Sequence, residues 1–226
     1  MNDWDGGCIL FFVKYPEKGR IKRRLSADLD EAITVELYKN FILDLLSTLE
    51  KFVVEFRICF YPHNSREKFM EWLGTQYSYI PQIGKDLGQR MKNSFIQTFA
   101  EGFQRVIIIG SDSPDLPGAL IKKGFLSLKM HHAVVGPSFD GGYYLIGFKV
   151  STFLSEVFEG INWSTNTVFQ ETLNVLEKAK YNIYILPKWR DVDTFTDLKD
   201  LFQRNRDTKF GSSKTISYLS KYEEMF

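Results

Sequence analysis

Short apolar runs punctuate this chain at residues 8–13, 53–61, 77–80, 106–109, 133–135, 143–148 and 183–186, with longer stretches of mixed polarity between them. Val, Ile and Phe fill several of these runs without regular polar alternation. Strands buried on both faces of a parallel sheet read this way. The longest intervening stretch, 28–52, places Leu29, Ile33, Leu37, Phe41, Leu45 and Leu49 four residues apart, which predicts one long amphipathic helix. Shorter helices are predicted over 65–73, from about residue 86 to Gly102, over 118–129, from a cap at Ser164-Thr165-Asn166 to Lys178, and over 197–203. Strands alternating with helices predict a three-layer α/β/α fold with a mostly parallel central sheet. The runs 133–135 and 143–148 leave no room for a crossover helix, so one of them is expected to run antiparallel.

Composition narrows this picture only a little. A chain of 226 residues with 44% hydrophobic content supports one domain with a sizeable core, read here as residues 8–202 followed by a tail at 203–226. The tail turns polar and Gly/Ser-rich between Arg204 and Lys214, which predicts loose packing until Ile216. A net charge of +1 argues against nucleic acid or an anionic membrane as partner. Cys8 and Cys59 both lie in strand-like runs, so buried thiols and a reducing compartment are expected. The start, Met1-Asn2-Asp3-Trp4-Asp5, is acidic, and the apolar run after it is too short for a signal peptide or a membrane span. A cytoplasmic protein is the expectation.

Candidate chemistry gathers in four loops, each following a predicted strand, where open α/β sheets bind ligands. The first, Lys14 to Leu25, carries six basic residues and Gly19. Lys14, Lys22 and Arg24 with Gly19 could wrap a polyphosphate, or the loop could be solvated surface. In the second, Val106-Ile107-Ile108-Ile109 breaks off at Gly110-Ser111-Asp112-Ser113-Pro114-Asp115. A carboxylate there could hold a divalent metal against phosphate oxygens, or Asp112, Ser113 and Asp115 could cap the next helix. The third, Asp191-Val192-Asp193, invites the same two readings, with Thr194 or Asp193 as the alternative cap. The fourth, Asp140-Gly141-Gly142, suits either close backbone approach to a ligand or a tight hairpin turn. Asp86 reads as a helix cap that leaves Arg90 one turn further on. The three histidines lack zinc-ligand spacing.

Taken in order, these blocks resemble a known family. Phe12-Val13-Lys14-Tyr15-Pro16 through Gly19, Lys22 and Arg24-Leu25 looks like the opening signature of the radical-SAM/selenodomain-associated transferases, which have the nucleotide-diphospho-sugar transferase (GT-A-like) fold. The blocks at 86–91, 110–117, 136–147, 163–165 and 191–198 are similar to the rest of that family's pattern. A more distant similarity runs to phospholactate guanylyltransferase and molybdenum cofactor guanylyltransferase. The resemblance implies a transferase dependent on Mg2+ or Mn2+. It would move a nucleotidyl or glycosyl group from a nucleoside triphosphate or nucleotide sugar to a small acceptor. Asp112 would be the principal metal ligand, with Asp193 and Asp191 completing the site. Lys14, Gly19, Lys22, Arg24 and Arg90 would hold phosphates, with Asp112 and Lys22 acting in catalysis. Ser113, Asp115, Asp140, Gly141 and Gly142 would face the second substrate. Arg23 stands where the family has Thr, and a nucleotide-binding module with impaired catalysis is the alternative that this departure raises.

Overall fold

The computed structural model describes residues 4–225; the acidic start at Met1–Asp3 and Phe226 lie outside them. In chain order the elements are β1 (Gly7–Lys14), α1 (Glu31–Leu49), β2 (Glu55–Tyr61), α2 (Arg66–Leu73), β3 (Ser78–Pro81) and α3 (Leu87–Ala100). There follow β4 (Arg105–Ile109), α4 (Gly118–Ser127), β5 (Ala133–Pro137), β6 (Tyr143–Lys149), α5 (Val168–Lys178), β7 (Ile183–Ile185), α6 (Phe195–Asn205) and α7 (Lys214–Leu219). The chain divides into two compact units. The first comprises residues 1–15, 53–110 and 118–189; the second comprises 16–52, 111–117 and 190–226.

The first unit holds a seven-stranded sheet of order β3-β2-β1-β4-β6-β5-β7. β6 runs antiparallel to both β4 and β5, and the other pairings are parallel. The expected antiparallel member is therefore β6. The doubly apolar runs are central strands: Cys8 to Phe11 and Val106 to Ile109 are all buried. One sheet face, with Cys8, Leu10, Val106, Ile108, Ile146 and Phe148, packs on Met91 and Phe95 of α3 and Leu176 of α5. The opposite face meets α2 through the Phe60–Phe69 pair, with ring centroids 5.7 Å apart, and α4 at Gly124 against Leu145. Helices thus cover both faces, the three-layer arrangement expected.

In the second unit, α1 is capped by Asp30, whose carboxylate accepts from the backbone N–H of Ala32 at 2.7 Å. The helix begins at Glu31 rather than Asp28, because Leu25–Ala27 form a separate 3-10 turn. Leu37, Phe41, Leu45 and Leu49 are fully buried, as their spacing predicted. The same face carries one polar surprise. Buried Asp44 accepts hydrogen bonds from the backbone N–H groups of Lys214 at 2.9 Å and Thr215 at 2.8 Å, at the start of α7. The polar stretch 204–214 is accordingly more ordered than its composition suggested. It includes buried Asn205 and a 3-10 turn at Lys209–Ser212 that Thr208 caps. The cap predicted at Ser164 also shifts. Ser164 takes a left-handed φ of 68°, and α5 starts only at Val168.

Both cysteines are buried and unpaired, as their setting in strands implied. Burial pushes the Cys8 thiol up to about 12, against the opposing pull of Arg57, and pushes the Cys59 thiol well above its usual value. Neither thiol should react with a disulfide reagent at pH 8 until the protein is unfolded, when both should. Unfolded thiols ionise near pH 8.5 while the folded ones stay protonated, so this contribution is complete below that pH and shrinks as pH rises above it. Rapid labelling of native protein at pH 8 would refute the assignment. Among the described residues, no helix is long and apolar enough to cross a membrane.

Candidate active site

The chain leaves β4 at Gly110 and enters the second unit at Ser111. Two contacts within that unit hold the loop that follows. The Ser111 hydroxyl lies 2.7 Å from the Tyr38 hydroxyl of α1, both groups buried. The backbone carbonyl of Asp112 accepts from the N–H of buried Val192 at 2.9 Å. The second of these contacts brings the two acidic loops, far apart in sequence, side by side.

The competing readings of Asp193 separate cleanly. Thr194 is the N-cap of α6: its hydroxyl accepts from Asp197 N at 3.2 Å, and the Asp197 carboxylate accepts from Thr194 N at 2.8 Å. This reciprocal pair satisfies the helix start. The Asp193 side chain is turned instead to Lys22. The Lys22 ammonium lies 2.5 Å from Asp112 Oδ1 and 2.8 Å from Asp193 Oδ1. Its side chain is only 4% exposed, against 53% and 38% for the two carboxylates.

Backbone geometry aims this lysine. Lys22 has φ 44°, in the left-handed region, and its carbonyl accepts from the Ser26 N–H at 2.9 Å. A non-glycine residue held there stores about 1 kcal/mol or more of strain, which the surrounding contacts must offset. The electrostatics point the same way. Burial alone would lower the ammonium's pKa, but attraction to Asp112 and Asp193 and hydrogen bonds to both raise it above its ordinary value. Lys22 is therefore a fixed positive charge facing two anions.

The remaining candidates in this unit divide by role. Asp191 offers a carboxylate oxygen within 4.8 Å of one from Asp193. Gly19, with φ 72°, turns the basic loop, and Arg23 and Arg24 are exposed along it. Ser113 is buried. Asp115 faces α6, where Arg204 Nε donates to it at 3.1 Å and Asn205 Nδ2 at 2.8 Å. Asp191 and Asp193 lie together, and Asp112 meets Asp193 across the Lys22 ammonium; all three offer only oxygen donors. That set fits a hard ion such as Mg2+ or Mn2+, which takes one or two carboxylates and keeps several waters.

The first unit holds Lys14, Arg90 and the 140–142 turn. Lys14 is exposed at the end of β1. Arg90 lies over the Tyr61 ring, 4.5 Å from its centroid. Desolvation lowers its pKa, opposed by Tyr61 and Asp86. Asp86 caps α3 as expected, accepting from Gln89 N at 2.8 Å. Asp140, Gly141 and Gly142 do form the β5–β6 turn. Asp140 Oδ1 accepts from the Gly142 N–H at 2.9 Å and from the Ser138 hydroxyl. Gly141 has φ 92°, and a Cβ there would sit 2.1 Å from the Asn166 carbonyl oxygen, so only glycine fits.

Sequence reasoning missed Tyr38, which fixes Ser111 next to Asp112. Its trace was a hydroxyl-bearing residue beside Leu37 on the apolar stripe of α1. It also missed Arg204 and Asn205, which lie about a hundred residues from their partner and carry no local signal.

Comparison with known proteins identifies the fold and the family. A crystal structure described as a "putative nucleotide-diphospho-sugar transferase" from Desulfovibrio desulfuricans G20 is 40% identical, with 97% of this chain and 96% of that one covered at a TM-score of 0.94. The inositol-1-phosphate CTP transferase from T. maritima is 15% identical over 96% of both chains, with a TM-score of 0.50. Rv0371C in complex with manganese, from Mycobacterium tuberculosis H37Rv, is 10% identical over 87% of this chain and 97% of that one, at 0.51. These last two share the fold alone. A search of the curated proteins finds no match. The fold is thus that of the nucleotide-diphospho-sugar transferases. Residues 45–165 match the profile described as "Uncharacterized protein conserved in bacteria (DUF2064)", and this chain belongs to that family.

Proposed function

We propose that this protein is a divalent-metal-dependent transferase that moves a nucleotidyl or glycosyl group from a nucleoside triphosphate or nucleotide sugar to a small acceptor. The observation that carries the reading is the buried Lys22 ammonium facing the exposed carboxylates of Asp112 and Asp193. A lysine and two acids at one point form a polar centre able to take both a cation and phosphate oxygens. The likeness in fold to a CTP transferase and to a manganese complex supports the same class of chemistry.

In this reading Asp112 is the principal ligand of Mg2+ or Mn2+, with Asp193 and Asp191 completing the set. The bound ion would stabilise negative charge on the phosphates as the transferred group departs. Lys22 holds a phosphate oxygen as a point charge, and Gly19 lets the basic loop approach closely. Arg24, Lys14 and Arg90 are assigned to phosphates as well, and Ser113, Asp140, Gly141 and Gly142 to the acceptor. Asp115 we assign to holding its own loop, since its carboxylate is engaged by Arg204 and Asn205. The six cations between Lys14 and Arg24 suit a triphosphate, which favours nucleotidyl transfer. Residues 1–226 act as one domain in this reading, within the radical-SAM/selenodomain-associated branch. The two unpaired thiols support a cytoplasmic setting.

The test is a melting series with nucleoside triphosphates and nucleotide sugars, each with and without Mg2+ or Mn2+. Ligand at a hundredfold excess over Kd should add about 2.7 kcal/mol of stability, and only with metal present. If no donor of either class shifts the melting point with either ion, the reading is wrong.

A further inference from the structure

We propose that the Lys22 ammonium is itself the resident cation of the Asp112–Asp193 pair, and that a divalent metal enters only once nucleotide phosphates draw Lys22 away. This inference rests on the function proposed above and adds an order of binding to it. Nζ touches one oxygen of each carboxylate, at 2.5 and 2.8 Å, so it occupies the ground between them. An ammonium and a dication held there together would set three positive charges against the two negative ones of this pair, or against three with Asp191 counted, and both would need the same two oxygens. The two cations therefore compete for the same oxygens.

Competition needs a way out for the lysine, and the chain supplies one. The Lys22 backbone is held by its left-handed φ and by the bond from Ser26, so the exchange is a rotation of the four-carbon stem out of its buried position. A phosphate offers the ammonium a new anion. The N–H···O bonds to Asp112 and Asp193 break, equivalent bonds to phosphate oxygens form, and the proton stays on nitrogen throughout. The vacated carboxylates then face each other with their charge uncompensated, which is the state that favours a dication. Metal alone meets a pair already neutralised in part. The protein is thereby kept from filling its site with a stray ion before the donor arrives.

The probe is Mn2+ alone, titrated into the full chain and followed by the paramagnetic resonance of the free ion. Lys22→Met should bind Mn2+ without nucleotide about tenfold tighter than the native protein, a coupling of ordinary size. Lys22→Arg, which keeps a cation in place, should bind it no better than native. With the Mn2+ that the nucleotide itself chelates subtracted, adding CTP or another donor that shifts the melting point should tighten Mn2+ binding by a larger factor in the native protein than in Lys22→Met. Lys22→Gln, neutral but still a hydrogen-bond donor, replaces Lys22→Met if that variant does not fold. Equal Mn2+ affinity in native and charge-free variants, with nucleotide-dependent binding intact, would overturn the exchange and leave the proposed function standing. Absence of Mn2+ binding under every nucleotide would overturn both.

Discussion

Asp112→Asn is expected to lower turnover more than about a thousandfold, because metal stabilisation of transition-state charge is worth several kcal/mol at about 1.4 kcal/mol per tenfold. Asn keeps the shape of the side chain, and the backbone carbonyl at 112 would still receive the Val192 N–H. What changes is charge. In the proposed site a hard dication would lose one of its oxygen ligands, and Lys22 keeps Asp193 as its one remaining anionic partner of the two. The carboxylate is more than half exposed and buried Lys22 keeps Asp193, so the loss of folding stability should stay well below that of Asp115→Ala. The metal-dependent melting shift should vanish with activity while the melting point without ligand stays near native. A variant that retains a full Mn2+-dependent shift would remove Asp112 from the site.

The second large effect concerns stability, and it falls on the acid one turn of loop further on. Asp115→Ala should cost about 3–5 kcal/mol of unfolding free energy, the usual result of removing one member of a buried ionic group. Its side chain is 3% exposed. Arg204 Nε and Asn205 Nδ2 both donate to Oδ2, and Arg204 Nη2 lies 3.0 Å away as a charge contact. Without the carboxylate, Asn205 stays buried with its amide unpaired on that side, and Arg204 loses its most enclosed partner. Urea unfolding reads the difference directly, and Asp115→Asn should fall between the two. A loss below about 1 kcal/mol would return Asp115 to the second-substrate role that the resemblance implied.

Physical chemistry explains which parts of this were legible. The β-branched run before Gly110 announces a central strand, because apolar residues on both faces leave no other stable placement. The antiparallel strand follows from chain length, since five residues between Pro137 and Tyr143 cannot form a crossover. Asp193 could not be resolved by reading alone. Thr194 and Asp193 are both good caps, and only the reciprocal bonds to Asp197 decide between them. The partners of Asp115 could not be read either: a buried acid and an exposed one look alike until their distant partners are known. The start of α7 was hidden too. Its polar sequence promised little order, and the carboxylate that caps it comes from α1.

The second unit is stitched from three stretches that leave the ribosome at widely separated times. A nascent chain that has reached β6 already contains Lys22 and Asp112, yet Asp193 and the Val192 amide that pins Asp112 have not been made. Interactions of such long sequence separation form late, after nearer ones have been satisfied. The acidic centre is therefore among the last features to mature. A product of translation interrupted between β6 and Asp193 carries the lysine and one acid without the second, and so would lack the proposed metal site.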